Sequence, residues 1–194
     1  MSKNKVTGII LAGGASRRMG RDKGLTEFRG KQLVKYALEV LTPLCGEILI
    51  SSNNISEYQK FGYQIVVDEY KKIGPMGGIY SSLRKSTTKQ NLVISCDTPF
   101  LTTELLEFVL VNSDNYEIVV PEHGNSFIET LAGYYSSEII SHLERLIIRK
   151  DYKLLNLFKE VKFKSIKVDT FSGYSKDLFK NLNTLNDLLE NSDP

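Results

Sequence analysis

The stretch "VTGIILAGG", residues 6–14, decides the fold, because an apolar, β-branched run ends abruptly at two glycines. A run of this kind is typical of a buried strand, and Gly13 and Gly14 allow the chain to turn tightly after it. Successive backbone N–H groups in such a turn bind anions, most often phosphate. The stretch therefore predicts an α/β fold with an anion site at the carboxyl end of its first strand.

The next residues, "ASRRMGRDKGL" (15–25), add the cations Arg17, Arg18, Arg21 and Lys23. A solvated surface loop could carry the same charges, but cations directly behind a glycine turn favour phosphate binding. The Walker motif is excluded, because five residues separate the glycines and an arginine follows the second one. The dinucleotide fingerprint is excluded because the span contains no Gly-x-Gly.

The rest of the chain alternates between strand and helix patterns, which predicts parallel strands covered by helices on both faces. The strand runs are "EILIS" (47–51), "YQIVVD" (63–68), "NLVIS" (91–95) and "YEIVVP" (116–121). Apolar residues at helical spacing occupy 31–45, 103–112 and 137–149. Two more runs, "ETLAGYY" (129–135) and "VKFKSIKVD" (161–169), are expected to be strands, one of which could run antiparallel.

Length and composition are those of an ordinary globular protein. With 194 residues, 41% of them hydrophobic and 25% charged, the chain is expected to form one domain over residues 1–194. The net charge of +2 does not favour nucleic-acid binding, and no apolar run is long enough to cross a membrane. With two widely separated cysteines, Cys45 and Cys96, and no secretory signal, we expect a cytoplasmic protein.

Two aspartates follow strand runs that should end at the same edge as the glycine turn. Asp68 closes "YQIVVD", and Asp97 lies one residue beyond "NLVIS". Either one alone could be a turn residue or a helix cap. Together they indicate a nucleotide or metal contact at Asp68 and a Mg²⁺ ligand at Asp97, because Mg²⁺ prefers carboxylate oxygens. The intervening loop, with its glycines at 74, 77 and 78, could pass close to a flat ligand or be a simple connection.

The sequence resembles a known family, the molybdenum cofactor guanylyltransferases. "LAGGASRRMGRDKGL" is similar to the family signature, and supporting blocks follow in order over essentially the whole chain: "GKQLVKYAL", "VVDEY…GPMGGIYSSL", "SCDTPFL" and "NLNTLNDLL". The resemblance implies a Rossmann-like three-layer sandwich with a mostly parallel central sheet, of the nucleotide-diphosphosugar transferase type. It also implies transfer of GMP from GTP to molybdopterin cofactor with release of pyrophosphate, and possible proteins that deliver or receive the cofactor.

The resemblance also implies roles for individual residues. Arg18, Lys23 and Asp97 would be catalytic, with Asp97 the Mg²⁺ ligand, and Asn183 would lie near the active site. The GTP site would comprise Leu11, Ala12, Gly13, Gly14, Lys23, Ser51, Asp68 and Asp97.

Three positions depart from the family pattern. Ser51 stands where the family often has a GTP-binding asparagine, and Asn53 follows two residues later, so either could contact the nucleotide. Thr130 and Leu185 each replace a usual proline, and both changes bear on the pterin side.

Two other functions stay open. A cytidylyltransferase of the same superfamily typically has Leu-Ala-Ala-Gly where this chain has Leu-Ala-Gly-Gly, and we expect the missing methyl at Gly13 to make room for a purine. A non-catalytic nucleotide-binding regulator would bind nucleotide without releasing pyrophosphate. Asp97 and Lys23 weigh against that reading. No general base is needed, because a phosphate nucleophile is already ionised, and neither histidine falls in a motif.

Overall fold

The computed structural model describes residues 5–13, 22–169 and 171–191. The strands are β1 (Val6–Leu11), β2 (Glu27–Phe28), β3 (Lys31–Gln32), β4 (Glu47–Ser51), β5 (Gln64–Val66), β6 (Gln90–Ser95), β7 (Ile118–His123), β8 (Phe127–Ile128), β9 (Ala132–Ser136) and β10 (Phe163–Lys167). The α-helices are α1 (Leu33–Leu41), α2 (Ile55–Tyr58), α3 (Pro75–Lys85), α4 (Thr103–Val111), α5 (Ile140–Ile148), α6 (Leu154–Leu157) and α7 (Leu185–Glu190). Short 3-10 helices cover Lys23–Leu25, Gln59–Phe61 and Ser137–Ile139.

The central sheet has the strand order β10-β7-β9-β6-β1-β4-β5, with β8 paired to β7. β1 lies in the middle, where it pairs in parallel with β4 and β6, and all six of its residues are buried. β9 runs antiparallel to both of its neighbours, β6 and β7. The sheet is therefore mostly parallel, and the carboxyl ends of β1, β4, β5 and β6 meet at one edge, where open α/β sheets bind their ligands.

Helices cover both faces of the sheet and make three layers. Alternate residues of β1 face opposite sides, so Ile10 packs with α1 and α4, whereas Ile9 packs with α3 and α5. Each face is closed by an apolar stripe of its helices, such as Val34, Leu38 and Leu41 on α1. The fold class expected from the sequence is confirmed.

Several elements differ in extent from the sequence predictions. The helix expected from residue 31 begins at Leu33, because Lys31 and Gln32 pair with β2 in a small hairpin. The strand expected to reach Asp68 ends at Val66, because β5 is an edge strand that pairs only with the last three residues of β4. Asp68 consequently lies in the loop beyond the strand. The antiparallel strand expected in the second half is β9.

A separate apolar cluster joins the β2–β3 hairpin to the carboxyl-terminal helix. Phe28 and Leu33 pack with Leu182 and Leu188, and all four are buried. This packing brings the segment before α7 back to the carboxyl edge of the sheet, although more than 80 residues separate it from the end of β6.

None of the helices in the described part of the chain is long and apolar enough to cross a membrane.

Candidate functional site

A narrow cleft opens at the carboxyl edge of the sheet, between the ends of β1, β4 and β6 and the start of α3. Its volume is about 60 Å³. The lining comprises Leu11, Gly13, Ser51, Asp68, Gly74, Pro75, Gly78, Ser95 and Leu131. Four of the residues expected to bind GTP, at positions 11, 13, 51 and 68, therefore line the same cleft.

Asp68 is held by the two residues that the sequence left as alternatives. The Ser51 hydroxyl donates to Asp68 Oδ1 at 3.4 Å, and the Asn53 side chain donates to Asp68 Oδ2 at 3.2 Å. Asn53 Oδ1 in turn accepts a hydrogen bond from the Asp68 backbone N–H at 3.3 Å. Ser51 is buried and lines the cleft, whereas Asn53 is exposed and fixes Asp68 from outside.

Two glycines keep the cleft open in different ways. A Cβ at Gly78 would lie 2.6 Å from Ser51 Oγ and 3.1 Å from Leu11, so a side chain there would close the wall. A Cβ at Gly13 would lie 3.6 Å from Ser51 O and 3.8 Å from the Ser52 Cα, which is ordinary van der Waals contact. The described residues around Gly13 thus leave room for a methyl at this position.

The second part of the site is a cluster around Lys23. The Lys23 ammonium donates to Asp97 Oδ2 and to Asn183 Oδ1, which come from segments 74 and 160 residues away in sequence. The side chains of Lys23 and Asp97 are 18% and 12% exposed, so this ion pair is only partly screened by water. Three residues that sequence reasoning placed in the active site are therefore in direct contact.

The segment before α7 contacts Asp97 at two more points. The Leu182 backbone N–H donates to the Asp97 carbonyl at 2.9 Å. When the Asn181 amide nitrogen faces Asp97, it lies 3.0 Å from Oδ1 and 3.3 Å from Oδ2. Sequence analysis did not select Asn181, although it stands two residues before Asn183 in the same block.

The Lys23 cluster and the small cleft lie at the same edge of the sheet, and known proteins share this fold and sequence. The family described as "MobA-like NTP transferase domain" matches residues 8–165. The chain belongs to the MobA-like NTP transferase family. Its family and fold, and its class as a nucleotidyltransferase, are thereby confirmed as the sequence predicted.

Individual relatives agree with this assignment over nearly the whole chain. A molybdenum cofactor guanylyltransferase from Vibrio parahaemolyticus is 34% identical, with 94% of this chain and 92% of that protein covered. A probable molybdenum cofactor guanylyltransferase from Pelotomaculum thermopropionicum is 29% identical, with coverage of 96% and 91%. The crystal structure of molybdopterin-guanine dinucleotide biosynthesis protein A from Archaeoglobus fulgidus has a TM-score of 0.81 at 25% identity and covers 96% of each chain.

Part of the signature of this MobA-like chain lies outside the described residues. Gly14, Arg17, Arg18 and Arg21 belong to that part, and their roles stay predictions. Within the described residues, Leu11 and Ala12 are buried at the end of β1, and the Ala12 backbone N–H donates to Ser51 O at 3.0 Å. This bond continues the pairing of β1 with β4 up to the rim of the cleft.

Two other groups of chemical interest lie at the same edge of this MobA-like chain. Burial, with a contribution from the neighbouring Asp97, raises the pKa of Cys96, so its thiol stays protonated and is a poor nucleophile. His123 ends β7, where its Nε2 lies 2.9 Å from Glu129 Oε1 and its ring stacks on Phe179. No sequence motif predicts that this histidine lies at this edge of the sheet.

A larger cleft, of about 820 Å³, lies at the opposite edge of the sheet. Its charged residues are three lysines and three carboxylates, Lys5, Lys89, Lys162, Asp114, Glu117 and Glu138. Lys89 and Glu138 form an ion pair of 2.7 Å. This balance of charge gives no preference for a triphosphate, so size alone does not make this cleft the nucleotide site.

Proposed function

We propose that this chain transfers GMP from GTP to molybdopterin cofactor and releases pyrophosphate. The observation that carries the proposal is the Lys23 ammonium, held between Asp97 and Asn183 beside a cleft that Asp68 lines. A lysine fixed in this way at the carboxyl edge of a parallel sheet suits a phosphate chain. The relatives, a molybdenum cofactor guanylyltransferase and a molybdopterin-guanine dinucleotide biosynthesis protein, indicate the nucleotide and the acceptor.

The reaction is an in-line displacement at the α-phosphorus of GTP. An oxygen of the acceptor's terminal phosphate forms a new P–O bond, and the bond between the α-phosphorus and its bridging oxygen to the β-phosphorus breaks. The electron pair of that bond leaves with pyrophosphate. The attacking phosphate is already ionised at neutral pH, so the reaction requires no general base.

The protein neutralises the charge of the phosphates and positions the two substrates. Lys23 neutralises negative charge that accumulates on the phosphate oxygens, in a site whose partial burial strengthens the interaction. Asn183 fixes the Lys23 ammonium, and Asn181 fixes the Asp97 carboxylate by donating to it. Asp68, oriented by Ser51 and Asn53, offers acceptor oxygens to N–H or O–H groups of the nucleoside.

A Mg²⁺ ion fits this arrangement with Asp97 as its protein ligand. The described residues contain no group of three or more acidic, histidine or cysteine side chains able to hold a metal. Mg²⁺ does not need one, because it commonly binds through one or two carboxylates plus substrate phosphates and water. Asp97 offers a carboxylate, the ligand type that Mg²⁺ prefers, at the edge of the sheet where the phosphates are proposed to bind. When bound, Mg²⁺ would supply further neutralisation of the phosphate oxygens.

We also propose a cytoplasmic location and contacts with proteins that supply or receive the cofactor. Cys45 and Cys96 are both thiols, as suits a reducing compartment. The whole chain, residues 1–194, is proposed to act as one domain, and the sheet that runs from β1 to β10 supports this.

Asp97→Asn tests the proposal, because it removes the negative charge and preserves the shape of the side chain. We expect Mg²⁺-dependent pyrophosphate release from GTP and molybdopterin cofactor to fall by on the order of 10²-fold or more, with little change in the thermal unfolding temperature. Asp114→Asn is the matched control, since Asp114 is exposed at the opposite edge, and it should keep full activity. Full Mg²⁺-dependent release by Asp97→Asn would contradict the assignment of Asp97.

A further inference from the structure

Tyr58, the last residue of α2, is fully buried although it carries a polar hydroxyl group. Its ring packs in the apolar cluster between the sheet and α1, with the Phe61 ring centroid 5.9 Å away. The hydroxyl projects from this cluster toward the start of the 3-10 helix Lys23–Leu25. A buried hydroxyl needs a hydrogen-bond partner, and the identity of that partner indicates what the residue does.

The partner is Asp22, the residue immediately before Lys23. The Tyr58 hydroxyl donates to Asp22 Oδ1 and also lies 3.4 Å from the Ala12 carbonyl oxygen. Asp22 Oδ1 accepts a second hydrogen bond, from the Gly24 backbone N–H at 3.3 Å, and so caps the 3-10 helix Lys23–Leu25. One carboxylate oxygen thus connects α2 to the turn that carries Lys23.

Gly24 shows how closely the two segments approach. A Cβ at this position would overlap the Tyr58 hydroxyl oxygen, and it would lie 3.4 Å from the Ala12 Cβ. Glycine is therefore required here by the contact itself, not by an unusual backbone angle. Burial, together with the hydrogen bond to Asp22, raises the pKa of Tyr58, so the phenol remains a neutral donor at any working pH.

We propose that Tyr58 is a positioning residue for Lys23. Its hydroxyl fixes Asp22, Asp22 fixes the turn, and the turn holds the Lys23 ammonium against Asp97 and Asn183. A lysine side chain has several rotatable bonds, so its base must be rigid for the ammonium to stay in place. The effect on catalysis rests on the proposed function, whereas the effect on Lys23 can be measured without turnover.

Tyr58→Phe tests the proposal, because it removes the hydroxyl and keeps the ring. We expect kcat for pyrophosphate release to fall by roughly tenfold while KM for GTP changes by less than about twofold. Tyr80→Phe is the matched control: Tyr80 is also buried, but its hydroxyl contacts Glu144 at 2.8 Å and Arg84 at 3.1 Å, away from Lys23. Tyr80→Phe should lower the stability of the protein and leave kcat unchanged. A loss of kcat in Tyr58→Phe alone then could not be explained by the general effect of removing a buried hydroxyl.

Gly24→Ala provides an independent arm. It should lower kcat strongly in the natural protein and much less in the Tyr58→Phe background, where the overlapping oxygen is absent. If the fold-losses in kcat of the two single variants simply multiplied in the double variant, the proposal would be overturned. A Tyr58→Phe protein with normal kcat would also overturn it.

A third readout does not depend on activity. Acetic anhydride labels lysine amines, and mass spectrometry reports the labelling rate of each one. Lys23 should react several-fold faster in Tyr58→Phe than in the natural protein or Tyr80→Phe, because its amine leaves Asp97 more often. An unchanged Lys23 rate would overturn the positioning role. If the natural protein released no pyrophosphate at all, the proposed function would fail, and this labelling result would still decide the role of Tyr58.

Discussion

At the scale of single residues, the site depends on a few polar groups that come from distant parts of the chain. Lys23 meets Asp97 and Asn183 because β1, β6 and the segment before α7 all reach the same edge of the sheet. Each group compensates another: the carboxylate is paired, and the ammonium has two acceptors. Removing one partner leaves the other with one remaining polar contact, Asn183 for Lys23 or Asn181 for Asp97.

Lys23→Ala should lower turnover by on the order of 10²–10³, as expected for the loss of one preorganised electrostatic donor. The fold should remain intact, because Lys23 lies at the edge of the apolar clusters rather than inside them. Steady-state pyrophosphate release and circular dichroism measure the two effects. Lys35→Ala, an exposed lysine on α1, is the control. Wild-type turnover by Lys23→Ala would remove the lysine from the mechanism.

Gly13→Ala should weaken GTP binding more than CTP binding. Among the described residues, the nearest atom to the added methyl is Ser51 O at 3.6 Å, so we expect the loss to arise from the ligand side of the cleft. Calorimetric titration of both nucleotides, with thermal unfolding to verify the fold, tests this expectation. If the natural protein bound GTP and CTP equally, Gly13 would have no part in base choice.

Some of these site residues could be predicted from the sequence, and others could not. Lys23, Asp97 and Asn183 each stand in a recognisable block, so their meeting could be expected. Tyr58 could not, because its role depends on a contact with Asp22 across 36 residues, and the mostly polar segment "ISEYQKF" (55–61) carries no motif.

At the scale of elements, α7 sets the position of Asn183. Thr184 caps the helix by accepting from the Asp187 N–H at 3.1 Å, and Asp187 Oδ2 accepts from the backbone N–H groups of Asn183 and Thr184 at 2.7 and 2.8 Å. This reciprocal capping box fixes the chain next to Asp97. The family block "NLNTLNDLL" therefore has a structural as well as a chemical part.

The hydrogen bond from the Asn183 backbone, with that from Thr184, lowers the pKa of Asp187 below its ordinary value of 3.8. A carboxyl with a lowered pKa in the folded state stabilises the protein above its ordinary pKa, and this contribution disappears as the pH falls through the lowered value. Asp187→Asn should therefore unfold at lower urea concentration than the natural protein at pH 7.

The difference between the two proteins should shrink as the pH is lowered to about 2, because the natural Asp187 then becomes protonated. Asp177→Asn, an exposed aspartate in the same region, should show a much smaller difference at pH 7. A constant difference between Asp187→Asn and the natural protein across this range would contradict the assignment.

Strands and helices with a long periodic pattern of apolar residues could be predicted from the sequence. Short strands that only hairpin pairing defines could not. The main strands and the helices α1, α4 and α5 follow from apolar spacing. The two-residue strands β2, β3 and β8 carry no such pattern, because hairpin pairing alone defines them. The same limit explains why α1 begins at Leu33, the first residue of its apolar stripe, and not at residue 31, where the segment was expected to start.

At the scale of the whole molecule, the parallel sheet brings a cleft and a cation cluster to one edge. The cleft and the cluster adjoin, since Ser95 lines the cleft and Asp97 lies two residues further along the same segment. Both parts lie at the carboxyl edge of the sheet, where open α/β sheets bind their ligands. The extent of the domain, 1–194, stays a prediction.

The most direct measurement supplies the natural protein with each of the four nucleoside triphosphates, Mg²⁺ and molybdopterin cofactor, and follows pyrophosphate release. We expect release with GTP alone, and only when the acceptor is present. Preferential release with CTP would instead favour the cytidylyltransferase, and nucleotide binding without any release would favour a regulator. Either result would contradict the proposal that this chain is a guanylyltransferase.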